Sequence, residues 1–146
     1  MAPSIVIISG ASRGFGLAAA AQLSKAYPTA AFHLMASSID RLEAAKGLLI
    51  GHKGPVSCHG VELAKLAAGD ASGCSSLVQA LSSAGQQSVL FVHSAAVLGP
   101  TGAVETLGVG NIAAVSQAVQ VNVAGSLALA TLIVSCLPNG LKVQDI

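Results

Sequence analysis

Tryptophan is absent from this 146-residue chain, tyrosine occurs once and phenylalanine three times. With aromatics at 3% of residues, a stacking platform for single-stranded nucleic acid is not expected. Charge is equally scarce. Asp, Glu, Lys and Arg make up 9% of the chain and leave a net charge of +1, so no electrostatic footprint for nucleic acid is expected either. Cysteine occurs three times, as Cys58, Cys74 and Cys136, without a C-x-x-C pair. This fits reduced thiols in a cytoplasmic setting, read first as small buried hydrophobes. The N-terminus is apolar but short and carries no basic flank, so it does not read as a signal peptide. The four histidines (His33, His52, His59, His93) have no metal-ligand spacing, and no metal is expected. Cys58 and His59 are adjacent, which does not by itself make a nucleophile and its base.

What remains is aliphatic. Hydrophobic residues make up 53%, with 16 glycines, which excludes a disordered chain. The length suits a single domain, 1–146, with no internal repeat or linker. Beyond Asp70 the only charges are Glu105, Lys142 and Asp145. That half needs a cover: a partner subunit, further chain, or a membrane. Residues 119–137 approach membrane-spanning length. They include Gln120, Asn122, Ser126, Thr131 and Ser135 and lack basic or aromatic flanks, which favours a buried or interface helix over a span.

Strand and helix patterns alternate. Ile5–Ser9 is a continuous β-branched run of the kind buried on both faces, and Leu17–Lys25 reads as the helix after it. Ala31–Ala36 is a second strand. Asp40 and Glu43 resemble a capping box opening a helix to about Ile50. Val56–Val61 is a third strand, Ser72–Ser83 a third helix, Ser88–His93 a fourth strand and Val97–Gly110 a loop. A long helix, Ile112–Leu137, closes at Pro138-Asn139-Gly140, and Leu141–Ile146 could begin a fifth strand. Such spacing predicts an α/β fold: a Rossmann-type doubly wound parallel sheet of four to five strands.

Between the first strand and its helix stands Gly10-Ala11-Ser12-Arg13-Gly14-Phe15-Gly16. Gly10 suits a tight turn, Gly14 a close approach of a pyrophosphate, and Gly16 close packing of helix on sheet. The free N–H groups and dipole at the helix start favour phosphates. Arg13 is placed to pair with a 2′-phosphate on an adenine ribose, favouring NADP over NAD, or else is a solvated arginine. Ser37 and Ser38 stand where an acid would hold the ribose hydroxyls of NAD, while Asp40 is read as part of the helix cap.

These residues, with Val121-Asn122-Val123-Ala124-Gly125, resemble the short-chain dehydrogenase/reductase family over about residues 4–140, the first half or so of such an enzyme. Phe15 in the glycine turn, and Leu98-Gly99, make the sepiapterin reductase branch the nearest. The resemblance implies an NADP-binding domain of an NADPH-dependent carbonyl reductase. It implies cofactor contacts at Gly10, Ser12, Arg13, Gly14, Phe15, Gly16, Ser37, Glu62, Leu63, Ser94 and Ala95. Departures are also present. The family's Asn-Asn-Ala-Gly loop is here His93-Ser94-Ala95-Ala96, its Asp near the adenine is Glu62, and Ser37 stands where NADP-using members often carry Arg. His93 reads as a strand-end histidine.

Family catalysis uses a Ser and a Tyr-x-x-x-Lys beyond the long helix. The one tyrosine here, Tyr27, is followed by Ala31 at the lysine position, and the tail does not resemble the Ser-bearing strand. Asn122 matches the family's helix asparagine, which orders a proton-relay water; equally it could satisfy a buried backbone group. The expectation is a cytoplasmic domain that binds NADP and does not turn over alone. The alternative is a non-catalytic interaction module pairing, with itself or a longer chain, through helix 112–137, which in the family packs in a four-helix subunit interface.

Overall fold

The computed structural model describes residues 2–84, 88–101 and 109–137. Four strands, β1 (Ile5–Ser9), β2 (Ala31–Ala36), β3 (Val56–Gly60) and β4 (Val89–His93), form one sheet in the order β3-β2-β1-β4. All neighbours are parallel; Ile7 stands beside His33 on one side and Phe91 on the other. The helices are α1 (Gly14–Ala26), α2 (Ile39–Lys46), α3 (Leu63–Ala67), α4 (Ser75–Ser82), α5 (Ile112–Val119) and α6 (Ser126–Cys136). The last two join through a π-helical segment, Gln120–Gly125, into one long helix.

The run in β1 is explained by its two covered faces. Ile5 and Ile7 pack with Leu63, Leu66, Leu77, Leu81, Leu129 and Ile133 from α3, α4 and α6. Val6 and Ile8 face the opposite layer, with Phe32, Leu34, Ala20 and Leu42. Every residue of β1 is buried, which is the condition for an unbroken apolar strand. β4, at the sheet edge, is only half-buried up to Val92, and His93 is exposed.

Several boundaries differ from those expected. Helix α1 begins at Gly14, three residues before Leu17, because the glycines that bend the chain also supply its first turn. Asp40 does not open α2. The cap is Ser38, whose hydroxyl accepts from the Arg41 amide at 3.4 Å, and Asp40 sits in the first turn, where a carboxylate suits the helix dipole. The helix ends at Lys46, short of Ile50, with Gly47 as its cap. β3 ends at Gly60, leaving Val61 outside the ladder. The helix expected over Ser72–Ser83 starts as a 3-10 turn, Ser72–Cys74, before α4. Helix α3 was not foreseen. The loop Val97–Gly110 ends in a 3-10 turn over Val109–Asn111, while residues 102–108, the closing Pro138-Asn139-Gly140 and the possible fifth strand Leu141–Ile146 lie outside the described residues. Cys74 is buried; Cys58 and Cys136 are half-buried, and all three are free thiols.

Two histidines lie inside this fold. His33 and His59, 6% and 4% exposed, meet at 3.0 Å between His33 Nδ1 and His59 Nε2, and His59 Nδ1 lies 2.8 Å from Ser76 Oγ. Burial, and then the neighbouring ring of His59, push His33 down to about 4; burial also lowers His59. The folded protein therefore holds both rings neutral, whereas the unfolded chain protonates them below about pH 6.5. The unfolded state binds more protons there, so stability is full above that pH and falls as pH drops toward 4. Denaturation titrations should show a loss of roughly 2–3 kcal/mol across that window. The slope should be shallower in His33→Leu; an unchanged slope would remove the pair as its source.

Candidate functional site

The C-terminal ends of β1 and β4 lie side by side, and the chain leaves them in opposite directions across the sheet. In open α/β sheets ligands bind in the crevice at such a switch point. A cavity of about 500 Å³ opens there.

The glycine turn forms one wall. Gly10 has φ +72°, and a Cβ on it would lie 2.7 Å from Ala95 N and the Ser94 carbonyl carbon. Glycine is thus required twice, by conformation and by the crossing backbone. Ala11 N donates to the Met35 carbonyl at 3.1 Å, tying the turn to β2. Gly14 also has a positive φ, +55°, but a Cβ there would meet nothing within 4 Å. Its backbone faces open cavity at the start of α1, whose first turn carries no acid. Gly16 differs again: its Cβ would strike the Gly10 carbonyl oxygen, so it holds helix against turn. Gly16 is buried and is not among the residues that line the cavity.

The other expected residues converge. Ser12, Arg13 and Phe15 line the cavity beside Gly10 and Gly14, and Phe15 is 73% exposed at its rim. Ser37 approaches from the end of β2, Glu62 and Leu63 from the start of α3, and Ser94 and Ala95 from the loop after β4. Glu62 pairs with Lys65 at 3.0 Å in an exposed ion pair that contributes little to stability.

Arg41 was missed. It lines the same cavity from the first turn of α2, so two arginines, Arg13 and Arg41, border it together with Ser37. The available signal was Ser38 as a cap: it makes residue 41 the third residue of the helix rather than the first.

Asn122 does not line the cavity. Its amide accepts from Val97 N at 2.9 Å and donates to Val97 O at 2.9 Å, a two-way clamp on the loop that does line it. Of the two roles open in the sequence, the structure displays the backbone one. The adjoining Gly125 is fixed by packing, since a Cβ there would lie 2.7 Å from the Leu63 carbonyl oxygen. Ser9, 1% exposed, accepts from Ser94 N at 3.2 Å and Ala95 N at 3.4 Å. Among the described residues, no group of three or more His, Cys, Asp or Glu could hold a metal ion.

The arrangement suits an extended, phosphate-bearing ligand: helix N–H groups, an unobstructed glycine backbone and two cations face one cavity. The fold is therefore a Rossmann-like parallel α/β sheet with its ligand crevice formed. No family model matches the sequence, and no curated protein matches it. Among solved structures, the fold is shared with a metagenomic short-chain oxidoreductase in complex with NADP, at 20% identity and TM-score 0.70, covering 91% of this chain and 56% of that one. It is shared too with a bulky-bulky ketone specific alcohol dehydrogenase from Comamonas testosteroni (17%, TM-score 0.65, 92% and 49%). A third is a 3-ketoacyl-ACP reductase from Sinorhizobium meliloti (16%, TM-score 0.66, 90% and 48%). The chain spans about half the length of these proteins.

The glycines separate by what they do. Gly10→Ala should cost on the order of 2 kcal/mol or more in denaturation, from a strained φ and a backbone clash. Gly14→Ala should cost only about 1 kcal/mol, since its Cβ has room. Equal costs would contradict this division.

Proposed function

We propose that this chain is an NADP(H)-binding domain of the short-chain reductase type. The observation that carries the reading is the open Gly14 backbone at the start of α1, in one cavity with Arg13 and Arg41. Gly14 and the first turn of α1 would hold the pyrophosphate. Arg13 and Arg41 would hold the 2′-phosphate, so that Arg41 would supply the cation that Ser37 does not. Glu62 and Leu63 would meet the adenine, and Ser94 and Ala95 the nicotinamide end. When bound, the cofactor supplies a hydride for carbonyl reduction. Within these 146 residues no Tyr-x-x-x-Lys is present to deliver the accompanying proton. In this reading Asn122 serves by holding the Val97 loop. The finer assignment to the sepiapterin reductase branch rests on Phe15 within the glycine turn and on Leu98-Gly99. A cytoplasmic location is the matching expectation.

Titration with NADPH, followed by nicotinamide fluorescence, should saturate. Arg13→Ala and Arg41→Ala should each weaken NADPH about tenfold while changing NADH little. Absence of saturable binding by the wild type at millimolar NADPH would end this reading.

One observation favours a second role, association through the long helix. Val115, Val119, Val123 and Leu127 recur every four residues and are 47–67% exposed. Ile112–Cys136 is also long and apolar enough to cross a membrane by length and composition alone. Light scattering should show a dimer that Leu127→Glu dissociates; a wild-type monomer at high concentration would exclude homotypic pairing.

A further inference from the structure

His93 ends β4 at the mouth of the crevice without lining the cavity. Both of its ring nitrogens are engaged. Nδ1 lies 2.7 Å from Ser9 Oγ on β1, and Nε2 lies 2.7 Å from Ser126 Oγ at the start of α6. The donors and acceptors of this cluster fit together in one direction. The Asn122 carbonyl can only accept, and Ser126 Oγ lies 2.9 Å from it, so the Ser126 hydroxyl donates there. Ser126 Oγ then accepts from His93 Nε2–H, which leaves Nδ1 as an acceptor. Ser9 donates its hydroxyl proton to that nitrogen, and its two lone pairs receive the Ser94 and Ala95 amides. This set of bonds is complete with His93 neutral and protonated on Nε2.

We propose that neutral His93 is a positioning residue, which fixes the cofactor-facing loop 94–97 by linking Ser9 on β1 to Ser126 on the long helix. The proposal rests on the dinucleotide reading for its effect on affinity, but not for its effect on the loop. A proton on Nδ1 turns the acceptor into a donor. Ser9 Oγ then faces three donors with two lone pairs, so either a loop amide is released or Nδ1–H turns to the Ala95 carbonyl; both rearrange the bonds that hold the loop. Opposite the ring stand Ser9 from β1, Ser126 from α6 and Phe91 from its own strand, with ring centroids 5.9 Å apart. Burial opposes the ring's protonation more than the Ala95 carbonyl favours it; no charged side chain contributes. The charge change belongs to the ring itself.

The test compares wild type, His93→Asn and His93→Phe as full chains between about pH 5 and pH 8. Asn retains an acceptor near the Nδ1 position but does not titrate; Phe removes both links. Amide exchange read by NMR without nucleotide should show Ala95 protection falling about tenfold on acidification in wild type, steady in His93→Asn, and low throughout in His93→Phe. NADPH affinity near pH 8 should be within about twofold for wild type and His93→Asn, and about tenfold weaker for His93→Phe. On acidification wild type should lose affinity beyond the loss in His93→Asn, which reports the titration of the nucleotide phosphate common to both. Superimposable pH profiles for wild type and His93→Asn, or full Ala95 protection in His93→Phe, would overturn the proposal. If wild type binds no NADPH near pH 8, the dinucleotide reading fails, while the Ala95 exchange still decides the role of His93.

Discussion

The crossing of two backbones at Gly10 is the constraint on which the site depends. The turn after β1 passes so close to Ser94 and Ala95 that a single methyl group would not fit between them. Because the two chains touch, Ser9 can hold the amides of the loop after β4. The turn then redirects the chain so that Gly14 and the start of α1 face the same crevice. Gly16 completes the turn by letting α1 lie on the Gly10 carbonyl. A packing requirement inside the fold thus places an empty backbone surface, Gly14, in front of helix N–H groups. Phosphate affinity at such a place is a consequence of geometry already needed for packing.

This explains which parts were legible in the sequence. The bounds of β1 and β2 follow from apolar runs buried on both faces. The glycine turn is readable because positive φ and close approach leave few residue choices. α3 was not readable: it is five residues long, with Leu63 and Leu66 as its buried positions, too short for a helical period to show. The start of α2 was misplaced because Asp40 and Glu43 have the spacing of a capping box, while the hydroxyl that caps belongs to Ser38. That shift hid Arg41, whose approach to the crevice depends on where the helix begins. The His33–His59 contact was hidden for another reason: it depends on the pairing of β2 with β3, which neither strand's pattern specifies alone.

The long helix answers to two demands. Leu129 and Ile133 pack into the core, and Gly125 lies against Leu63. Asn122 must meanwhile reach the Val97 backbone at the edge of the crevice. Asn122 and Gly125 both fall inside the π-helical stretch Gln120–Gly125. Such single-turn insertions often occur at functional sites. By chemical pattern the segment is apolar with scattered polar positions; in the structure its sides differ. One supports the sheet and the loop, and the other presents Val119, Val123 and Leu127 outward.

Scarcity of charge acquires a local meaning in this setting. Arg13 and Arg41 are the arginines of the chain, and both border the cavity. An anion entering the crevice meets these arginines and the α1 start, with Glu62 the one carboxylate on the lining among the described residues, itself paired to Lys65. Few charges elsewhere on the described sheet compete with that field. A chain with so little charge overall can still be selective for a phosphorylated ligand, because selectivity depends on where its cations stand rather than on net charge. The net value of +1 and an anion site are thus compatible.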